Sequence, residues 1–347
     1  MNLTLANIAL LNVYSFSPFL VHHSINIIGC RVCKSFSSFL YCSNFKSLIV
    51  ERSKFQFFID KIAIIDEICV LSKDTSSNVM FCNTDFCNVV STGNGGCFLA
   101  KTSNVTVTGC SFYNCTTTSG YGGAYFVQES CLSHTMNKTC FILCKADQSH
   151  GFRVECSNVY VNLFLVTQCY KEQIGLYGSF LFMKKNIAND FNSTRNLIDR
   201  HGTGFYFFQV VEGQTHRAHI SECFGRGIEV LDGASNCEIK FHNVINNTCT
   251  EHGIVFSYSS TNHWRNCLFV ANKNAFLYTQ ASFFDCRFDF EYSPNSAWIT
   301  GNLFSVASYT TISVPNQCLA SPQYTLFYQN MAKVSFKVFL LPVIFND

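Results

Sequence analysis

The sequence predicts an all-β fold: a single right-handed parallel β-helix, or solenoid, with coils of about 22–28 residues. Three observations support this prediction. Glycine or alanine precedes short aromatic or β-branched runs at a regular spacing, the apolar runs are too short for amphipathic helices, and cysteines recur at matching places in successive repeats. A repeat of about 20–50 residues is typical of solenoids and other arrays of like units.

The repeat is marked by small residues that stand just before predicted strands. Eight positions serve as register marks: Gly96, Gly123, Gly151, Gly178, Gly204, Gly227, Gly253 and Ala275. Successive marks are 22 to 28 residues apart. Each interval holds two or three short strands, which is the length of chain that one coil of a parallel β-helix needs. A β-propeller is the alternative, but its blades need about 40 residues or more.

The apolar runs between the marks have the composition of strands. Residues 105–107, 159–166 and 205–208 are rich in Val, Phe, Tyr and Thr, and Gly, Asn, Ser and Thr bound such runs; this pattern is typical of strands and turns. Right-handedness follows from the twist preference of parallel crossovers. We predict N-terminal coils or an irregular cap at 1–60, the regular parallel β-helix at 61–290, and C-terminal coils or strands with a tail at 291–347.

The cysteines are predicted to form interior columns. The chain has 20 of them. Counting back from the register marks gives a first column of Cys87, Cys115, Cys144 and Cys169, and a second of Cys82, Cys110 and Cys140 with Leu165 in the next place. A place that leucine can take is a packing place, because a free cysteine behaves as a small hydrophobe. We expect mostly unbridged thiols, since parallel Cβ vectors suit a disulfide poorly.

Metal and cofactor sites are not predicted. The "CRVC" segment, Cys30–Cys33, is half of a zinc motif, but a structural zinc needs four ligands and no second C-x-x-C follows. The Gly-Gly pairs at 95–96 and 122–123 lack the Lys-Ser/Thr and the helix start of a phosphate loop, and are interpreted as turns.

The composition limits the classes of partner. Of the 347 residues, 48% are hydrophobic and 13% charged, with a net charge of +2. This balance gives no electrostatic footprint for nucleic acid or for anionic lipid. We expect no membrane span and no signal peptide, since the apolar start is interrupted by asparagine and proline. A protein or glycan ligand on a face of the solenoid remains as the predicted kind of partner.

One charged flank is the candidate for catalysis. Asp199 and Glu222 both stand five residues before their register marks, so stacking brings them about one strand spacing apart. Four further residues lie near the same marks: Arg226, Asp232, Glu251 and His252. Paired carboxylates act as acid and nucleophile in glycosidases. The alternative is a salt-bridged polar turn, and the neighbouring cations favour it because they hold both carboxylates ionised. No catalytic residue is therefore predicted.

The repeat pattern resembles the right-handed parallel β-helix, or pectin-lyase-like, superfamily over about residues 60–290. Within it, "GGAYF" at 122–126 and "FVAN" at 269–272 resemble repeats of polymorphic outer-membrane-type surface proteins. This second resemblance implies an adhesin-like role at the cell surface or outside the cell. Two hypotheses follow: a non-enzymatic binding or structural module, or a carbohydrate-active enzyme that uses Asp199, Glu222 and Arg226.

Overall fold

The chain is described from a computed structural model. The described residues are 2–13, 24–35, 40–43, 46–59, 62–66, 77–101, 104–129, 131–170, 180–198, 202–275, 277–289 and 298–300. Over these ranges the regular structure consists of strands. No helix in them has the length and apolarity needed to cross a bilayer.

The strands are short in the first half of the chain and longer in the second. The first fourteen are β1 (Asn2–Ala6), β2 (Ala9–Val13), β3 (Ser24–Ile28), β4 (Arg31–Ser35), β5 (Leu40–Ser43), β6 (Ser47–Glu51), β7 (Lys54–Phe58), β8 (Ala63–Asp66), β9 (Asn78–Cys82), β10 (Asp85–Ser91), β11 (Phe98–Lys101), β12 (Asn104–Thr108), β13 (Ser111–Thr117) and β14 (Tyr125–Val127). The others are β15 (Ser133–Ile142), β16 (Phe152–Val154), β17 (Asn158–Thr167), β18 (Phe180–Thr194), β19 (Leu197–Ile198), β20 (Phe205–Ser221), β21 (Phe224–Asp232), β22 (Cys237–Ile245), β23 (Thr248–Ser257), β24 (His263–Arg265), β25 (Leu268–Val270), β26 (Leu277–Thr279), β27 (Ser282–Phe284), β28 (Arg287–Phe288) and β29 (Trp298–Thr300).

Every strand pairs in parallel with a strand of the neighbouring coil, and the pairings form three faces. The first face contains β1, β3, β6, β9, β12, β15, β17, β18, β20, β22, β24, β27 and β29. The second contains β2, β4, β7, β10, β13, β25 and β28 together with the later parts of β15, β17, β18, β20 and β22. The third contains β5, β8, β11, β14, β16, β26 and most of β21 and β23, with the starts of β18 and β20. Between the second and third faces, β19 pairs with the start of β21, which pairs with the start of β23. The predicted parallel β-solenoid is confirmed.

The glycine marks keep the predicted register to within one residue. Phe98 pairs with Tyr125, so Gly96 and Gly123, each two residues earlier, stand in one row. Gly227 pairs with Gly253. A Cβ atom on Gly96 would overlap the carbonyl oxygen of Gly123. Glycine is therefore required at position 96 by the close approach of the next coil.

Two of the marks are displaced by one position, and one lies outside the described residues. His150, rather than Gly151, takes the place above Gly123, because Tyr125 pairs with Phe152. Thr203, rather than Gly204, is level with Gly227, because Phe205 pairs with Glu229. Gly178 is not among the described residues.

Stacked aromatic rings fill the interior. On the second face the rings of Phe55, Phe86, Phe112 and Phe141 stack at centroid distances of 5.6, 4.7 and 5.1 Å. On the third face Phe98, Tyr125, Phe152 and Phe180 stack at 4.7, 5.5 and 5.5 Å. All these side chains are buried. Offset stacking adds about 0.5–1.5 kcal/mol per pair beyond area burial, so the aromatic columns are a main source of the fold's stability.

The chain turns two corners of each coil with a residue in the left-handed region. Between the first and second faces these residues include Asn83, Lys138 and Arg217, and after the second face Asn114, Arg195 and Glu222, all with φ between 47° and 58°. The next residue is buried, and where it carries a thiol, hydroxyl or amide it donates a hydrogen bond to a backbone carbonyl. Those donors are thiols, hydroxyls or amides: Cys110, Cys115, Cys144, Cys169, Cys223, Cys267, Thr84, Thr139, Asn196, Asn247 and Asn272.

The predicted cysteine columns are confirmed in part. Cys115, Cys144 and Cys169 stand in one buried column. Cys87 was wrongly included: it pairs with Tyr113, and Val89 takes the place opposite Cys115. The stretch between this column and the glycine mark is one residue shorter in this coil than in the coil of Cys115. Counting back from the mark therefore reached the wrong position.

The second predicted column is wrong for Cys82 and Cys110. Cys82 pairs with Thr108 and Cys110 stands in the corner row, whereas Cys140 does pair with Leu165. Sixteen cysteines in the described part form no disulfide, and Cys140 is disulfide-bonded. The pairing of thiols with corner carbonyls explains why cysteine alternates there with serine, threonine and asparagine: each supplies a donor, so these places are more than packing places.

Candidate functional site

The predicted charged flank is only partly assembled. Asp199 lies outside the described residues. Glu222 is a corner residue whose Oε2 lies 2.7 Å from Nε of Arg195 on the preceding coil, with both side chains exposed. Arg226 Nη1 lies 3.0 Å from Glu251 Oε2. Glu222 is therefore engaged in a corner ion pair, which is the polar-turn alternative that the sequence left open.

His252 joins the remaining residues of that flank. Burial lowers the pKa of His252, the Arg226 guanidinium lowers it further, and the carboxylates of Glu251 and Asp232 oppose that shift. The ring of His252 also meets Phe256 edge-on at 4.7 Å. The structure thus groups His252, Arg226, Glu251 and Asp232 beside an aromatic surface.

This aromatic surface lies on the outer side of the third face. Tyr206, Val230, Phe256 and Tyr278 form one outward row across β20, β21, β23 and β26. Tyr206, Val230 and Phe256 are buried there as a small cluster outside the main core. We call the five rings of Tyr206, Phe208, Phe256, Tyr258 and Tyr278 the outer aromatic patch.

Two rings of the patch are open to solvent. Tyr258 is 55% exposed and Tyr278 47%. Tyr278 stacks on Phe256 at 5.5 Å with an angle of 9° between the rings, and Tyr258 meets Phe256 edge-on at 4.8 Å. Because Phe256 is buried, it fixes the position of both exposed rings. The patch therefore offers a preorganised aromatic surface.

Polar groups border the exposed rings. The Tyr206 hydroxyl donates to Asp232 Oδ2 at 3.0 Å. A shallow groove of about 360 Å³ beside Tyr258 is lined by Gly233, Ala234, Ser235, Ser259, Ser260 and Gln280. These hydroxyl and amide groups both donate and accept hydrogen bonds. The groove is thus a mixed aromatic and uncharged polar surface.

A second groove, of about 530 Å³, lies across Ser260 and contains carboxylates. Glu212 is 2.9 Å from Lys185 Nζ, and Glu238 is 2.9 Å from Lys240 Nζ. The hydrogen bond from Lys240 lowers the pKa of Glu238. A glycosidase pair needs one carboxyl kept protonated by burial, whereas each of these two carboxylates lies beside a lysine ammonium.

A further polar constellation lies inside the solenoid. Thr215 Oγ1 is 2.7 Å from His242 Nε2, His242 Nδ1 is 2.5 Å from Glu229 Oε1, and Trp264 Nε1 donates to Glu229 Oε2 at 2.7 Å. All four side chains are buried. The hydroxyl, imidazole and carboxylate follow the order of a hydrolase triad, but the burial leaves no room for a substrate. The network has a structural role.

Sequence reasoning missed this network, although one signal was present. Glu229 is a charged residue inside the apolar run "GIEVL". Alignment on the glycine marks shifted this strand by one residue and put Glu229 level with Tyr206, on the outer row. Its true partners are Phe205 and Val255, both buried. The one-residue displacement of Gly204 therefore concealed a buried carboxylate.

Metal ligation has no candidate in the described part of the chain, where no three His, Cys, Asp or Glu side chains converge as ligands. Of the two thiols of "CRVC", that of Cys30 is buried at the corner just before β4, and that of Cys33 is partly exposed within β4.

Comparisons with known proteins give no relative for this chain. No protein-family model, no curated protein and no solved structure matches it.

Proposed function

We propose that the protein is a non-enzymatic binding module, secreted or held at the cell surface, that binds a glycan on the outer aromatic patch. The observation that carries this proposal is the pair of exposed rings, Tyr258 and Tyr278, held against buried Phe256 beside a groove of uncharged polar groups. The resemblance to pectin-lyase-like and surface-protein repeats agrees with it and supplies the proposed location.

The chemistry of the patch suits a neutral sugar. The C–H face of a pyranose ring stacks on tyrosine, and its hydroxyls exchange hydrogen bonds with side chains such as Ser235 and Gln280. The rings are immobilised in advance by Phe256, so little side-chain entropy is lost on binding. The groove beside Tyr258, about 360 Å³, lies at the small end of the range of ligand pockets, which is about 300–1,000 Å³.

A carbohydrate-active enzyme is the second candidate. It would use Asp199, Glu222 and Arg226, and its support is the carboxylate spacing in the sequence. Against it, Arg195 holds Glu222 in an ion pair at a corner, and Arg226 is paired with Glu251. Glycoside hydrolysis needs one carboxyl kept protonated beside an ionised one, whereas Glu222 and Glu251 each face an arginine.

The test is binding to a panel of immobilised neutral and acidic polysaccharides. Each stacked ring contributes about 1–2 kcal/mol, so the double variant Tyr258→Ala/Tyr278→Ala is expected to lose affinity by more than about tenfold. Tyr160→Ala is the matched control, because Tyr160 is 47% exposed on the first face. Unchanged binding by the double variant, or no binding of the wild type to any polysaccharide, would overturn the proposal.

A further inference from the structure

Tyr258 and Tyr278 contact each other as well as Phe256. Their ring centroids are 5.7 Å apart at an angle of 76°, and a hydrogen bond with the Tyr278 hydroxyl raises the pKa of Tyr258. Both rings are about half exposed. They belong to consecutive coils, since Tyr278 is in β26 and Tyr258 directly follows β23.

We propose that Tyr258 and Tyr278 are a site of oxidative cross-linking, at which a peroxidase and hydrogen peroxide join the two rings as dityrosine. The cross-link would tie two successive coils together at the outer aromatic patch. The inference concerns the phenol groups themselves and is independent of the glycan-binding proposal.

The reaction is balanced by the peroxide. Each phenol gives up one electron and one proton to the peroxidase, which leaves two phenoxyl radicals. A carbon–carbon bond forms between the ring carbons ortho to the two oxygens, and the two ortho hydrogens then move to the oxygens and restore both aromatic rings. The protein loses two hydrogen atoms in total, and hydrogen peroxide is reduced to two molecules of water.

Proximity is the reason why these two tyrosines are singled out. Two radicals held in contact couple as a unimolecular step, which corresponds to a very high effective concentration. Other tyrosines have different neighbours: Tyr125 stacks between Phe98 and Phe152 in the core, and Tyr121 lies under the Arg153 guanidinium. Exposure of Tyr258 and Tyr278 also lets the oxidant reach both rings.

The experiment treats the folded, dilute protein with horseradish peroxidase and hydrogen peroxide. We expect dityrosine fluorescence, a monomer lighter by two hydrogen atoms, and a cross-linked peptide containing residues 258 and 278. Tyr258→Phe and Tyr278→Phe should each lower the yield by at least about tenfold, whereas Tyr160→Phe should leave it unchanged. Phenylalanine keeps the stacking surface, so these variants should retain glycan binding, which separates failure of this proposal from failure of the proposed function.

The proposal is overturned if the peroxidase produces only covalent dimers, if the linked peptides exclude residue 258 or residue 278, or if the Tyr258→Phe and Tyr278→Phe variants form as much monomeric dityrosine as the wild type. It is also overturned if folded monomer is recovered without any loss of hydrogen while free tyrosine in the same tube is oxidised.

Discussion

His242 Nδ1 lies 2.5 Å from Glu229 Oε1 in the interior of the solenoid, and neither side chain reaches solvent. The pair joins the wall of the third face to the corner between the first and second faces of the following coil. Thr215 and Trp264 complete its hydrogen bonds. A buried polar network of this kind is tolerated when its members are satisfied, and is costly when one of them is removed.

Glu229→Ala is therefore predicted to destabilise the protein strongly. Loss of the carboxylate leaves the indole N–H of Trp264 and the Nδ1 atom of His242 buried without their acceptor, at a cost of about 3–5 kcal/mol. Glu238→Ala is the control, since Glu238 forms surface ion pairs with Lys240 and Arg265, each worth less than about 1 kcal/mol. Urea unfolding followed by circular dichroism measures both variants. Equal midpoints for the two would contradict the structural role of the network.

Acidification is predicted to destabilise the fold through His134. Burial lowers the pKa of His134 to about 3, below its ordinary value of about 6.5. Between these values the unfolded chain takes up a proton that the folded chain does not, so stability falls as the pH falls. The expected slope is up to about 1.4 kcal/mol per pH unit.

His134→Gln should reduce that slope while it keeps a polar group near the Tyr125 hydroxyl, which lies 3.1 Å from His134 Nε2. The measurement is the urea midpoint from neutral pH down to about pH 5. Identical pH dependence of wild type and variant would show that His134 titrates normally in the folded state.

The buried thiols of the corner rows are predicted to react slowly in the folded protein. Burial raises the pKa of Cys110 to about 12 and raises that of Cys115 and Cys169 well above the ordinary value. Cys82 is partly exposed. Brief alkylation of native protein followed by peptide mapping should modify Cys82 and spare the three buried cysteines, whereas denatured protein should react at all four. Rapid native labelling of Cys115 or Cys169 would contradict the interior column.

Two glycine-to-alanine substitutions are predicted to destabilise the protein to different extents, because one creates a steric clash and the other only an unfavourable backbone conformation. A Cβ atom on Gly123 would overlap the carbonyl oxygen of His150 and lie 2.6 Å from the backbone nitrogen of Lys145. Gly123→Ala should therefore prevent normal stacking of the coils. At Gly233 an added Cβ atom would make only ordinary van der Waals contacts with Gln209, the nearest at 3.5 Å, so its φ of 63° is the main penalty, about 1–2 kcal/mol. Thermal unfolding distinguishes them; a Gly123→Ala protein as stable as Gly233→Ala would contradict the close packing of coils.

The solenoid was predictable from sequence because each coil turns its corners in the same way and therefore uses similar residue types at them. At corners, an apolar residue is followed three positions later by a donor that points inward, as in Phe112 and Cys115, or Phe269 and Asn272. In the sequence alone, "FVAN" at 269–272 looks like an isolated resemblance to another family. Allowing cysteine and asparagine to share the last position makes it one instance of a feature that recurs along the chain, since both donate to corner carbonyls.

The candidate site was less predictable. The sequence predicts that Asp232 and His252 lie on one flank, as the structure shows. It does not predict the outer aromatic patch. An outward row alternates with an inward row, so a shift of one residue exchanges the two. Coils of unequal length caused such a shift at Gly204, and the outward position of Tyr206 depends on the pairing of Phe205 with Glu229. Spacing along the chain cannot supply that register.

The central functional claim is binding without cleavage, and one measurement tests it directly: the protein is incubated with each polysaccharide of the panel, and bound protein and newly formed reducing ends are measured in the same sample. We predict retention on at least one polysaccharide, loss of that retention in Tyr258→Ala/Tyr278→Ala, and no increase in reducing ends with time. A time-dependent release of reducing ends that Glu222→Gln abolishes would contradict the account and establish the enzyme instead.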